Sequence, residues 1–463
     1  MLNWLVMKMM DPLMDDAMVK MMTEDYPDNP FIMASIAEKL TPRAMIEAAM
    51  RAESGVELQR PMGSPVVQSP WDKVLLSPRQ LFQLPTADSK SIQTATVIGP
   101  YAKKPLHLEI PIMITGMSYG GSLSLQMKMA LAKGATMAGT STNTGESTVT
   151  NEERDNARLL IGQYNRGGWL SQAEQLERVD AIEVQLGQGA FGGAVDSTIK
   201  AGTMGEHLAR ALHVEKGADA TVYARMPNVN TTEEIISLLD QLKSTYDVPI
   251  GIKIAASDFI EYELEVIAQT QVDFIVIDGA EGGTAAAPPT LQDNLGLPTL
   301  FTLARAIRWL EANRLRERFS VIAAGGLTTP GHFLKAMALG ADAVYIGSIA
   351  LIAAMQSQVT KVMPQAPAPQ LALYTGKQND KLDIDLAAKH LANFLKSCTA
   401  EMKLAVQALG KNALSELNRD DLVTTSPDLA EFLGIRYGLE TRSGNYREYL
   451  QYANYSESRT SLQ

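Results

Sequence analysis

Three apolar runs in the second half of the chain each end in a turn of small residues. Phe274-Ile275-Val276-Ile277 leads into Asp278-Gly279-Ala280-Glu281-Gly282-Gly283-Thr284, and Ala323-Ala324-Gly325-Gly326 and Ile346-Gly347-Ser348 follow downstream. Short continuous apolar runs read as strands buried on both faces, as in a parallel sheet covered by helices. Small residues at their ends let backbone N–H groups approach an anion closely. In a closed α/β barrel the turns after the last two strands are neighbours and form a phosphate site. The pattern predicts an α/β fold, a (β/α)8 TIM barrel carrying a phosphorylated cofactor. The competing explanation is that these glycines only permit tight strand-to-helix packing.

From Pro111 onward, short apolar runs alternate with helical segments, as repeated βα units require. Strands are predicted at 112–116, 136–143, 159–164, 181–186, 250–255, 274–278, 321–325 and 343–347. Residues 1–95 are rich in Met and Pro, include the extended run Arg60 to Pro65, and read as an N-terminal extension packing on the barrel. Residues 96–362 form the barrel, with a long insertion at 190–248 after the fourth strand that reads as a lid. The breaker cluster Met363-Pro364-Gln365-Ala366-Pro367-Ala368-Pro369 opens a mostly helical C-terminal tail, 363–463, whose end from Ser443 is polar.

No stretch of about 18 apolar residues offers a membrane span. The opening Met1 to Met10 lacks a basic start and runs into Asp11, Asp15 and Asp16, which makes a poor signal peptide. One cysteine, Cys398, excludes an internal disulfide and a cysteine-ligated iron–sulfur cluster within one chain. A cytoplasmic protein is expected, with Cys398 as a small buried hydrophobe. The net charge of −11 argues against nucleic-acid binding. The cluster Arg314-Leu315-Arg316-Glu317-Arg318 is expected to close a helix, at the end whose dipole favours cations.

Gly187-Gln188-Gly189-Ala190-Phe191-Gly192 matches a GxGxxG dinucleotide fingerprint, but the following Gly193-Ala194-Val195-Asp196 does not open a helix, so the context fails. Lys253 interrupts the apolar strand Gly251-Ile252-Lys253-Ile254. It points to the barrel mouth, where its charge suits an anionic reduced flavin ring, or it pairs with Asp278 or Glu183. Thr140 to Ser147 crowds hydrogen-bonding groups at the end of the second strand.

In order along the chain, Pro111-Ile112-Met113-Ile114-Thr115-Gly116-Met117-Ser118, Asn143-Thr144-Gly145-Glu146, Gly187-Gln188-Gly189-Ala190, Gly251-Ile252-Lys253-Ile254 and Asp278 to Thr284 resemble the FMN-binding domain of the glutamate synthase family in its stand-alone, archaeal-type and bacterial-homologue form. The resemblance implies an FMN across the barrel mouth. Thr115, Gly116, Met117 and Ser118 would lie beside the ring, Asn143 and Gln185 or Gln188 at its polar edge, and Lys253 at N1. Gly282, Gly283 and Thr284 would lie along the ribityl chain, and Gly325, Gly326, Gly347 and Ser348 at the phosphate. Glu146 and Gln188 would face the substrate, with Glu146 the candidate proton donor. Its plainer alternative is a capping carboxylate for a helix starting near Asn151. No metal ligands are assigned.

Departures from the family pattern shape the expected reaction. The family's cysteine cluster after the eighth strand has no counterpart in residues 353–376, so a separate electron donor is expected. Phe191 replaces the loop lysine that helps hold 2-oxoglutarate, and Gln185 replaces a strand lysine. No glutaminase nucleophile stands at Met1-Leu2, so free ammonia or a separate amidotransferase subunit would supply nitrogen. The reading is an FMN-dependent oxidoreductase acting on a small-molecule imine derived from a 2-oxo acid, as in glutamate biosynthesis. Its alternatives are a redox-neutral FMN isomerase, like type 2 isopentenyl diphosphate isomerase, and a non-catalytic flavin-binding barrel. The 2-hydroxy-acid oxidases need a histidine on the sixth strand's loop, where Ala280-Glu281 stands.

Overall fold

The structure, a computed structural model, describes residues 2–25, 29, 41–66, 68–193, 196–215, 217–285 and 287–450. It divides into two compact units, Met1–Gln59 and Arg60–Gln463. The first holds helices Leu2–Thr23 and Pro42–Ser54. Pro42 sits in the first turn of its helix, where a missing N–H goes unmissed. Thr41 caps that helix by accepting from the Ala44 N–H at 3.2 Å, and Gly55 ends it in the left-handed conformation.

The second unit is built on eight parallel strands. They are β1 (Ile112–Ile114), β2 (Thr142–Asn143), β3 (Leu160–Tyr164), β4 (Ala181–Gln185), β5 (Ile250–Ala255), β6 (Phe274–Asp278), β7 (Ser320–Ala324) and β8 (Ala343–Ile346). Hydrogen-bonded neighbours run β1-β8-β7-β6-β5-β4-β3-β2. The Ile114 N–H donates to Ser141 O at 3.0 Å and brings β1 against β2, so the sheet closes into a barrel with helices outside.

The second strand is much shorter than expected. Residues 136–138 complete the helix Leu125–Ala138, which ends at Gly139 with φ 74 and its N–H on Ala135 O and Thr136 O. A left-handed glycine after a helix-forming run is a stop signal that overrides the β-branched character of Thr136. The insertion is also shorter than 190–248, because Thr232–Thr245 is the regular helix between β4 and β5, started by a capping box of Thr231 and Glu234.

Inward-pointing strand residues form the barrel interior: Met113, Ile161, Ala181, Phe274, Val276, Ile322, Ala324, Ala343 and Tyr345. The antiparallel pair Thr96–Ile98 and Leu106–Leu108 plugs its lower end with Ile98, Leu106 and Leu108. Gly251 is required here, since a Cβ would stand on the Phe274 ring. The outward faces pack on the helices. No helix among the described residues is long and apolar enough to cross a membrane.

The tail belongs to the same unit. Its long helix Ile384–Ala408 lies close on Leu125–Ala138, where a Cβ on Gly134 would come within 2.9 Å of Ala388 O. Leu422–Thr424 pairs antiparallel with Val74–Leu76. Cys398 is buried, and burial, helped by Glu401, pushes its thiol up to about 11. The arginine cluster sits just past the helix Thr299–Ala312: Arg316 donates to Gly340 O at 2.7 Å and Arg318 to Ala268 O at 2.7 Å. Under the tail, Arg79 and Asp421 pair at 2.9 Å with side chains 6% and 0% exposed. Asp421→Ala leaves Arg79 buried without that carboxylate, so a loss of about 3–5 kcal/mol of stability is expected. A lower urea midpoint with an unchanged slope is the check.

Candidate functional site

A cavity of about 540 Å³ opens at the C-terminal ends of the strands, the end at which barrels of this kind carry their active sites. Turns after seven of the eight strands line it, and Lys253 of β5 reaches its floor. Lys253 Nζ lies 2.9 Å from Asp278 Oδ2, with side chains 2% and 7% exposed. Burial pushes the lysine pKa down, but Asp278, Glu183 and Glu146 push it up and prevail, so the group is an ammonium. The two sequence readings of Lys253, cavity-facing cation and structural pair, hold together.

Beneath the β1–β4 side lies a closed polar layer. Glu183 of β4, fully buried, accepts from Gln163 Nε2 at 2.7 Å, from the Tyr345 hydroxyl at 2.8 Å and from Asn143 Nδ2 at 3.2 Å. Burial, with Glu183 alongside, holds the Tyr345 phenol well above its ordinary value, so it stays a donor. Asn143 Oδ1 receives the Gly145 N–H at 2.9 Å, which turns the chain toward Glu146. Lys128, also buried, donates to Asn143 O at 2.7 Å and pairs with Glu153 at 2.8 Å, fixing the same turn from below. Gly116 must be glycine, because a Cβ would come within 2.9 Å of both Asn143 Oδ1 and Gln163 Nε2.

On the opposite side, Gly325 and Gly326 have φ of 104 and 68. A Cβ on Gly325 would lie 2.7 Å from Gly279 N, and one on Gly326 2.6 Å from Glu281 Cβ. Two successive glycines of this kind expose backbone N–H groups as a cradle for an anion. The helix Ser348–Met355 starts beside it at Gly347, and Pro330–Ala338 starts at Thr329, whose hydroxyl caps the His332 N–H. His332 lines this end of the cavity and stacks on Trp71 with ring centres 5.9 Å apart. Burial first, then Lys335, lowers its pKa. The arm Arg60 to Ser64 is tied down here: Arg60 exchanges backbone bonds with Ala287, and the Met62 N–H donates to Thr284 O at 2.9 Å.

The insertion after β4 covers the β1–β4 side. Gly187 to Gly192 closes on itself, with Gln188 and Gly192 exchanging backbone bonds at 3.0 and 2.9 Å, and the next element among the described residues is a strand, not a helix. Beyond it, Ser197–Ile199 pairs with Ala220–Val222. The helix Glu206–Ala211 lends Leu208 to an apolar cluster with Tyr119, Leu212 and Ala220. His207 bridges this lid to the barrel, 3.0 Å from the Tyr119 hydroxyl through Nδ1 and 3.0 Å from Glu152 through Nε2. Burial, then Tyr374 and Glu152, pushes the Tyr119 phenol up to about 12.

Arg166, just after β3, joins lid to barrel on the cavity side with its side chain 1% exposed. Its Nε and Nη2 reach Glu146 at 3.2 and 3.1 Å, and its Nη1 donates to Gly193 O at 2.9 Å. Glu146 therefore faces the cavity as an ion-pair partner, and the helix Asn151–Asn156 is capped instead by Thr150.

The cavity brings together Thr115, Gly116, Met117, Ser118, Glu146, Gln188, Lys253, Gly282, Gly283, Thr284, Gly325, Gly326, Gly347 and Ser348. Asn143 and Gln185 lie outside its lining: Asn143 is in the layer below, and Gln185 touches Gln188 at 3.2 Å. The hydroxyls of Thr140, Ser141 and Thr142 are buried without a hydrogen-bond partner and do not meet the cavity either. Sequence reasoning passed over Gln163, Arg166 and Tyr345, and named Glu183 only as a possible partner of Lys253. Gln163 and Glu183 stand inside apolar strands, the same signal that marked Lys253. His332, which carried no sequence signal, also lines the cavity.

Comparison with known proteins agrees with this architecture. A family profile described as the conserved region in glutamate synthase matches residues 69–412. The glutamate synthase large subunit-like protein of Rhizobium meliloti (strain 1021) is 33% identical over 73% of this chain and 80% of its own length. The archaeal-type glutamate synthase [NADPH] of Thermotoga sp. (strain RQ2) is 30% identical over 86% of this chain and 83% of its own. Among solved structures, a mutant flavocytochrome b2 with pyruvate bound superposes with a TM-score of 0.50 at 17% identity, covering 82% of this chain and 84% of that one. That likeness is one of fold.

Proposed function

Because the chain belongs to the glutamate synthase family, we propose that it is a cytoplasmic FMN-dependent oxidoreductase that reduces the imine of a 2-oxo acid to the amine, the chemistry of glutamate biosynthesis. The observation that carries this reading is a double-glycine anion cradle and a buried lysine facing one cavity from strands on either side of β6. The residues fit the cofactor. Gly325, Gly326, Gly347 and Ser348 would hold the phosphate, Gly282 to Thr284 the ribityl chain, and Thr115 to Ser118 the ring, within a volume typical of ligand sites, about 300–1,000 Å³. FMN, when bound, supplies the hydride for the imine carbon.

The chain's own groups do the rest. Lys253 holds a positive charge where the ring would take up negative charge, and Asp278 keeps it in place. Glu183, below the cavity, fixes Gln163 and Tyr345, which line it, and Asn143 beneath. The lid excludes water from the β1–β4 side. The 463 residues contain one cysteine, so electrons are proposed to come from a separate donor, and nitrogen from free ammonia or an amidotransferase subunit. The test is the visible spectrum of the purified protein with mass identification of the released chromophore. Flavin bands and released FMN are expected; a colourless protein that takes up no added FMN would sink the proposal.

A further inference from the structure

Two segments outside the barrel strands wall the cavity. The lid lines it with Ile199 and Val222, and the arm 60–66 lines it with Met62, Ser64 and Val66. The two are fastened differently. The lid is held by an apolar cluster in which Leu208 and Leu212 are buried. Of residues 60–66 only Gly63 is buried. A segment with so little apolar burial opens at small cost.

Besides its backbone bonds to Thr284 and Ala287, the arm is held by Gln292 and Asp293 of the helix Pro289–Asn294. Arg60 donates through Nε to the buried Gln292 at 3.1 Å and through Nη2 to Asp293 Oδ1 at 2.5 Å. The Ser64 hydroxyl donates to the same Oδ1. One carboxylate oxygen thus ties down both sides of the bend at Met62 and Gly63, whose φ values are 70 and 94. A left-handed methionine is strained and persists only where its surroundings hold it, so releasing the clamp favours departure of the bend. The bend rests on the β6 turn, since a Cβ on Gly63 would come within 2.7 Å of Gly282 O. Arg60, Gln292 and Asp293 stand behind the arm, outside the cavity lining.

Resting on the FMN reading above, we propose that the arm is the door for the cofactor. FMN enters and leaves when residues 60–66 lift from the β6 turn, and Asp293 is the positioning residue that sets how often they do. A residue that holds a door shut without touching the ligand slows entry and exit by one factor, and the affinity stays as it was. A residue that supports a ligand contact acts mainly on exit.

The experiment reads FMN fluorescence in stopped flow. Mixing FMN with the flavin-free full chain gives the entry rate, and diluting the loaded protein gives the exit rate. Asp293→Ala is expected to raise both rates at least about tenfold while Kd changes by less than about twofold, as for loss of a charged hydrogen bond that only the closed arm makes. Ser64→Ala, which removes one of the two bonds to that oxygen, should move both rates the same way by a smaller factor. Leu208→Ala, which loosens the lid, should leave them at parental values. Melting in parallel shows which variants are folded, and Ser64→Ala carries the test if Asp293→Ala is not. Unchanged rates in the folded variants, or faster exit with unchanged entry, overturn the proposal, as does acceleration by Leu208→Ala in place of Asp293→Ala. Failure of the parent reading is seen earlier and separately, as a protein that takes up no FMN.

Discussion

Lys253→Met is expected to lower folding stability by about 3–5 kcal/mol, because it leaves Asp278 buried without its cation. Against a total of about 5–15 kcal/mol, that is a large fraction. The ammonium's pKa is raised in the folded state, so its contribution is present in full below the ordinary lysine value of 10.5 and is lost as the pH rises through the folded value. A stability profile between pH 7 and 12 should therefore fall at its alkaline end in the parent protein. That component should be missing in the variant.

The same substitution separates structure from chemistry when combined with Asp278→Asn. Removing both charges takes away the uncompensated carboxylate, so most of the lost stability should return. Imine reduction should not return, since the positive charge near the ring is still gone. A loss of about 100- to 1,000-fold in kcat is expected, as for removal of one fixed electrostatic partner of a transition state. A folded double variant with parental kcat would show that Lys253 serves packing alone.

The sequence made seven of the eight strands legible, and only β2 departs strongly from its expected bounds. β6 to β8 are continuous apolar runs ending in glycine turns, and each lies within a residue or so of its expected bounds. β2 shrank to two residues because its pairing with β1 rests on one backbone bond from Ile114 to Ser141. Period and composition carry no trace of such a contact. The cavity's cofactor side was legible for a similar reason: a cradle needs glycine, and glycine is visible in a sequence. Its substrate side was not. Arg166 is one charged residue in a loop until the fold brings Glu146, Phe191 and Gly193 around it, from two other segments of the chain. Thr140 to Thr142 misled in the opposite direction, since polar side chains at a strand end need not turn toward the ligand.

Gly325→Ala is expected to weaken FMN binding by at least about 100-fold. The backbone at φ 104 is one that L residues rarely adopt, at a cost of about 1–3 kcal/mol. The added Cβ also meets Gly279 N and Thr299 Oγ1 at 2.7 Å. Neither can retreat cheaply: the Gly279 N–H donates to Ala324 O at 2.9 Å, and Thr299 Oγ1 is wedged between Glu281 Oε2 at 2.9 Å and Gly325 O at 2.8 Å. The turn itself must move, and its N–H groups then no longer converge on one anion. Gly434→Ala supplies the comparison, with φ 63 and nothing within 4 Å of its Cβ. It carries left-handed strain without touching the cradle, so it should lower the melting temperature and leave FMN affinity unchanged. Quenching of free FMN fluorescence on titration measures both affinities. If Gly325→Ala, still folded, bound FMN as the parent does, the phosphate would have to sit elsewhere than at the β7 turn.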